Sequence, residues 1–203
     1  MRIENTIRRY VEKDAMLATV ERIIAKGAEV YMRDVKMNRA LFVLESGAWI
    51  RVRIGDVTRE KERECAITYK AMDEHDDEIV ESILSVGIFD DDYEAAIDLL
   101  EIVGCTLKSV QENERTKILW RYANHAYWIH VDRWPWLEKY RFFAIHPDAS
   151  AGIGFLHDAC EELGVNEYKS YNGGVDGVFK KELGFELREQ PFVRFDLPPP
   201  RLE

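Results

Sequence analysis

Arg51 and Arg53 lie two residues apart in "GAWIRVRIG", and Arg115 and Lys117 do the same in "QENERTK". In an extended strand residues i and i+2 share a face, so each pair sets two cations side by side, the first with Trp49 beside them. Such pairs hold an anion if they converge; otherwise they are a solvated strand face. "HAYWIHVDRW" places His130 and Asp132 on one face. A histidine there is a ligand or general base or, as strand histidines commonly are, a solvated or core residue. "YRFFAI" sets Tyr140, Phe142 and Ala144 on one face and Arg141, Phe143 and Ile145 on the other, and neither face has an acid. Which of these faces looks at a site decides whether the protein is an enzyme.

The chain that positions these residues has 203 of them, 46% hydrophobic and 33% charged, an ordinary globular composition with enough length for a sizeable core. No apolar run approaches the ~20 residues of a membrane span, and "MRIENTIRRY" lacks the apolar core of a signal peptide, so the expected location is the cytoplasm. Cys65, Cys105 and Cys160 are far apart and in no metal-like spacing; they read as thiols in a reducing compartment. A net charge of −10 argues against non-specific binding to nucleic acid or an anionic membrane.

Alternation and helical spacing give the elements. Residues 3–11 read as a strand and 14–26 as a helix, with Asp14 at its N-cap and Gly27 as its stop. "MNRALFVL", "AWIRVRI", "ECAITYKAM" and "IVESILSV" follow as strands, with the acidic stretch 73–78 as a loop. A helix over about 91–103 precedes strands in "VQENERTKILWRY", "HAYWIHVDRW" and Tyr140–Ile145, and a last helix is expected near 151–163. The layout repeats: Glu4 begins a strand whose following helix ends at Gly27, and Glu81 begins one whose helix ends at Gly104, with the same separation. This predicts an α+β fold in one domain over 1–203. Its halves are about 1–77 and 78–147, and a C-terminal helical segment covers about 148–203. Eight antiparallel strands form a closed or nearly closed barrel with helices packed outside. Charges lining such an interior are costly unless they meet a ligand or each other.

Five segments, in order, then carry a family likeness: "GAWIRVR" against G-x-W-[LV]-R-[LV]-R, "AITYK" against L-T-Y-K, "QENERTK" against Q-E-N-R-R-T-R, "VDRWPWLEKY" against I-D-x-W-P-x-I-P-P-Y, and "VFKKELGFEL" against I-Y-R-K-Y-G-I-D-L. Over nearly its whole length the chain resembles the CYTH, or triphosphate tunnel metalloenzyme, family, which includes class IV adenylate cyclases, thiamine triphosphatases and inorganic triphosphatases. The resemblance implies an eight-stranded tunnel holding a triphosphate between Arg and Lys on one side and glutamates with Mg²⁺ or Mn²⁺ on the other. It implies phosphate-binding roles for Arg8, Arg51, Arg53, Lys70 and Arg115, with Lys117 beside Arg115.

The acidic half departs from the family. Of the E-x-E-x-K motif Glu4 remains, the second acid is Thr6, and Arg8 stands for the Lys; "ESILS" keeps Glu81; Phe142 and Ala144 stand where the resemblance implies two metal carboxylates. Asp132 matches the family aspartate and either orients a tunnel arginine or joins Glu4 and Glu81 as a metal ligand. Thr6, Trp49, His130, Phe142 and Ala144 are expected to line the tunnel; Trp49, Trp134 and Trp136 read as packing or tunnel-mouth residues, and an aromatic at the mouth, or Phe142 inside, could stack a nucleobase. Glu112 and Glu138 read as surface residues. Two functions follow: a module that captures a nucleotide or other phosphorylated small molecule with weak or no catalysis, or a divergent metal-dependent triphosphatase or cyclase with one ion on Glu4, Glu81 and Asp132. No catalytic residue is assigned.

Overall fold

The computed structural model describes residues 2–3, 6–44, 46, 48–57, 63–75, 78–88, 92–147, 153–171 and 174–201, with the backbone alone at 2–3, 57, 63–64, 70–75, 78–88 and 153. The strands are β1 (Arg2–Ile3), β2 (Ile7–Glu12), β3 (Glu29–Val43), β4 (Trp49–Val57), β5 (Arg63–His75), β6 (Glu78–Ile88), β7 (Thr106–Tyr122), β8 (His125–Arg133), β9 (Tyr140–Pro147), β10 (Lys169–Ser170) and β11 (Phe192–Val193). The helices are α1 (Lys13–Ala25), α2 (Tyr93–Ile102), α3 (Ile153–Glu162) and α4 (Val175–Leu183). The chain divides into two compact units. Unit 1 holds 1–4, 36–113 and 173–203, and unit 2 holds 5–35 and 114–172.

In unit 1, β6 pairs with β1 and β5, β5 with β4, and β4 with β3, all antiparallel; β11 joins β7 in parallel. Alternation sorts the sheet residues onto two faces. Ala40, Phe42, Val52 and Cys65 form a buried cluster with Tyr93, Ala96 and Ile97 of α2, so this face is the core. Each fully buried aliphatic or aromatic side chain there contributes roughly 1.5–3 kcal/mol. Arg39, Arg51 and Arg53 occupy the alternate positions, on the other face.

In unit 2, β8 pairs with β7 and β9, and β2 lies between β9 and β10, again antiparallel. Met16, Val20 and Ile23 recur at helical spacing on α1 and pack with Leu156, Ala159 and Cys160 of α3 over Ile7, Ile118, Ile129, Val131, Phe143 and Ile145. The helix-covered face is therefore the one carrying Phe143 and Ile145, and Phe142 and Ala144 lie opposite.

Three expectations change. The stretch read as one strand over 3–11 is two strands, β1 on β6 and β2 on β9. Among the described residues no single strand carries a ladder to both partners, and the ladders described there do not close a barrel. Of the acidic stretch 73–78, expected as a loop, residues 73–75 lie in β5 and Glu78 in β6, with His75 paired to Glu78, because backbone pairing continues whatever the side chains. Helix α1 starts one residue earlier than expected, with Asp14 inside its first turn and no side-chain cap bond at Glu12. Gly27 after its end has φ +86°, as a stop requires.

Candidate functional site

Strand register sets the spacing of the cations in unit 1. Arg53 is the cross-strand partner of Arg39 on β3 and of Ala66 on β5; one row along, Arg51 lies between Leu41 and Thr68, and the next row is Val43, Trp49 and Lys70. The Arg51 guanidinium carbon is 5.8 Å from the centre of the Trp49 ring, within cation–π range. Arg53 Nη2 is 2.9 Å from a carboxylate oxygen of Asp56, whose side chain is 4% exposed against 15% for Arg53. That contact depends on an irregularity between Ile54 and Asp56, where Gly55 adopts φ +101° and a Cβ would meet the Lys36 carbonyl oxygen at 2.7 Å, so only glycine fits. Lys70 lies in β5, but its side chain is outside the described residues, as is that of Glu81 in β6; Glu4 is outside altogether.

Arg39 was missed in the sequence. It is 6% exposed, and the signal was present: in "NRALF" it alternates with the core residues Ala40 and Phe42, as Arg51 alternates with Val52. Glu112 was read as a surface residue and is 6% exposed. It sits 2.8 Å from Lys36, accepts the Phe195 N–H at 3.3 Å and lies 3.5 Å from Arg194, tying the C-terminal segment to β7. Glu138 is exposed, as expected.

Unit 2 aligns Arg8, Ala144, His130 and Lys117 in one row across β2, β9, β8 and β7, and Tyr10, Phe142, Asp132 and Arg115 in the next. Arg115 donates through Nε and Nη2 to the two oxygens of Asp132, at 2.7 and 2.8 Å, with both side chains largely buried. Of the two roles open to Asp132, this geometry is that of a carboxylate orienting an arginine. Lys117 Nζ lies 4.8 Å from the centre of the Trp128 ring. His130 is half-buried, its ring 5.0 Å from that of His146. Thr6 is half-buried just before β2.

Phe142 is 2% exposed, stacked on Tyr10 at 6.0 Å and edge-on to Tyr171 at 5.8 Å. Its neighbours already occupy the ring, so the expectation that it stacks a nucleobase is corrected: it is core. Trp134, 1% exposed, is packing. On the opposite face Arg141 donates to the Glu138 and Tyr140 carbonyls. Burial lowers its pKa, as does the neighbouring Arg133, against Asp34, Glu114 and Glu138.

The fit to a divalent metal is poor in what is described. Mg²⁺ and Mn²⁺ want carboxylate oxygens; Asp132 has both of its oxygens on Arg115, and Phe142 and Ala144 offer none. Among the described residues no three of His, Cys, Asp and Glu gather in a way that could hold a metal ion. Nor, among them, is any helix long and apolar enough to cross a membrane.

No protein-family model matches the sequence, and no curated protein matches it. Solved structures do. The PH1819 protein of Pyrococcus horikoshii OT3 is similar at TM-score 0.64 and 18% identity over 88% of this chain and 99% of that one. A candidate adenylate cyclase from Vibrio parahaemolyticus matches at 0.63 and 13% over 88% and 98%. A candidate adenylyl cyclase from Hippeastrum, described as having a dominant triphosphatase activity, matches at 0.56 and 13% over 89% and 96%. This chain shares the fold of these structures.

Proposed function

We propose that this chain binds a nucleotide or other phosphorylated small molecule, a triphosphate foremost, with little or no turnover. The observation that carries the reading is the half-buried face of Arg51 and Arg53 in unit 1, backed by the α2 core and bordered by Trp49. Guanidinium groups grip phosphate oxygens bidentately, and a partly dehydrated setting strengthens each contact. Lys70 is proposed to extend that face, and Arg8 and Lys117, one row from the Arg115–Asp132 bridge, to serve the same ligand class on the sheet of unit 2. The fold supports the reading, since similar structures include described cyclases and a triphosphatase. The loss of acids at Phe142 and Ala144 supports weak catalysis. The buried thiols Cys65 and Cys160 and the half-buried Cys105 fit a reducing cytoplasm.

The second reading, a triphosphatase or cyclase using Mg²⁺ or Mn²⁺ on Glu4 and Glu81, is favoured by the Hippeastrum structure's described activity. One experiment separates the two. The protein is incubated with ATP, tripolyphosphate and thiamine triphosphate, with Mg²⁺ or Mn²⁺ and then with chelator, and ligand retention and phosphate release are both measured. Capture predicts retention that survives chelation. It also predicts a rise in melting temperature that reflects about 2.7 kcal/mol at a ligand concentration of 100 Kd, abolished in Arg51→Ala/Arg53→Ala. Metal-dependent turnover that disappears in Glu4→Gln or Glu81→Gln would establish the enzyme instead.

A further inference from the structure

We infer that the outer side of α2 in unit 1 is a docking surface for a basic amphipathic helix of another protein, one whose apolar stripe is edged by lysines or arginines. Tyr93, Ala96 and Ile97 recur at helical spacing and bury one side of α2 on Phe42, Val52 and Cys65. Leu99, Ile102 and Val103 share another side, at i, i+3 and i+4, and are 58%, 81% and 65% exposed. Single apolar residues on a surface need no explanation. Here three of the seven exposed large hydrophobics among the described residues fall within one turn at the end of one helix. A helix that only covered the core of unit 1 would carry polar side chains there.

Charge names the occupant. The helix contains no lysine or arginine, while Glu94, Asp98 and Glu101, at i, i+4 and i+7, form an exposed acidic row. That row borders the apolar one, because Asp98 stands four residues before Ile102. Among the described residues none of the three acids makes an ion pair. Glu101 lies in the last turn, where the helix dipole is already negative and a cation is preferred, and α2 has none there. A partner helix with lysines or arginines along its edges meets both needs while its apolar stripe covers Leu99, Ile102 and Val103. An anionic membrane is repelled by the same acids, and a second copy pairing α2 with α2 adds another acidic row to the contact. At ten residues α2 is about 15 Å long, a length that three turns of a partner cover.

The test is fluorescence anisotropy of the full chain with three labelled peptides, each about four helical turns long. One has a leucine stripe with lysine edges, one the same stripe with glutamate edges, and one is a scramble of the lysine peptide with no stripe. Wild type should bind the lysine peptide, more weakly as salt rises, and neither of the others. Leu99→Ser/Ile102→Ser should weaken that binding about tenfold or more, since apolar area is no longer removed from water. Asp98→Lys/Glu101→Lys should reverse the preference toward the glutamate peptide. All four positions are exposed, so both variants should melt close to wild type and keep any phosphate ligand that wild type holds, which separates this test from that of the phosphate site. A wild type that binds no peptide, or binds all three alike, would overturn the assignment. So would a lysine peptide that binds both variants as it binds wild type, the mark of non-specific attraction to an acidic chain. A dimer in sedimentation that Leu99→Ser/Ile102→Ser dissociates would make a second copy the occupant instead, and binding to phosphatidylcholine vesicles lost in that variant would make it a lipid surface.

Discussion

Both units cover one sheet face with helices and leave arginines on the other, yet they treat those arginines differently. In unit 2, Arg115 is held by both oxygens of Asp132, and the adjoining positions are filled by Tyr10, Phe142 and Tyr171. In unit 1, Arg39 and Arg53 oppose each other with Arg51 one row along, and Asp56 meets Arg53. One row of the first face is closed by its own chemistry, a fork-shaped salt bridge and an aromatic cluster. The second sets like charges opposite each other across two strands, with the Asp56 carboxylate on Arg53. An arginine on the uncovered face of a sheet is therefore not by itself a ligand contact; whether the chain has supplied its counter-charge decides.

The largest effect that could break this contrast lies at Phe142. Truncating it to Ala removes a buried ring from between Tyr10 and Tyr171, and Phe→Ala in a core costs about 3–5 kcal/mol. Ala144→Glu, in the next row at a half-buried position between Arg8 and His130, places an acid between two basic side chains and should change stability by less than about 1 kcal/mol. Urea unfolding of the two variants measures the difference. Equal stabilities would mean that Phe142 is not core and that the face of unit 2 is open. Phe142→Glu, by contrast with Ala144→Glu, would bury a carboxylate among aromatics.

The breakdown of the fold's legibility follows the same line. Period-two alternation placed β4, β7, β8 and β9, and helical spacing placed α1, α2 and α3 to within a few residues, because each buries one face and the pattern records it. Alternation also separated Phe142 from Phe143. What it could not record was partner choice: that residues 3–11 divide between β6 and β9, that Asp132 binds Arg115, or that Tyr171, far along the chain, covers Phe142. Arg39 was legible and overlooked, since attention went to arginines within quoted motifs. Glu112 was not legible, because its partners Lys36 and Arg194 come from distant segments.

The next effect sharpens the contrast in charge. Asp132→Ala strips the carboxylate from an arginine whose side chain is 8% exposed, and removing one partner of a buried pair costs about 3 kcal/mol or more. Arg115→Met/Asp132→Leu, which removes both charges, should recover much of that loss. In a double-mutant cycle by chemical denaturation the two sites should couple strongly. A cycle that closes without coupling would show that the bond to Asp132 does not hold Arg115 in place.

The smallest effect concerns the cores beneath the two faces, and it is read by thiol chemistry. Cys65 and Cys160 are each 0% exposed, under α2 in unit 1 and between α1 and α3 in unit 2, while Cys105 is half-buried. Burial pushes the Cys160 thiol from its ordinary value of 9.0 up to about 11, although the charge of Arg9 works the other way. The folded state thus holds that proton more tightly than the unfolded chain. Stability is unaffected below about pH 9, falls as the unfolded thiol ionises between there and about pH 11, and levels off above, since the slope follows the proton difference between the states. Thiolate is the reactive form, so at pH 8 an aromatic disulfide reagent should label Cys105 rapidly in the native protein. Cys160 should react only at the rate of opening, and Cys65 likewise because α2 covers it. Adding denaturant should bring all three to one fast rate. Cys160 reacting natively as fast as Cys105 would show that the α1–α3 core opens readily, and would remove the rigid backing on which the closed face of unit 2 depends.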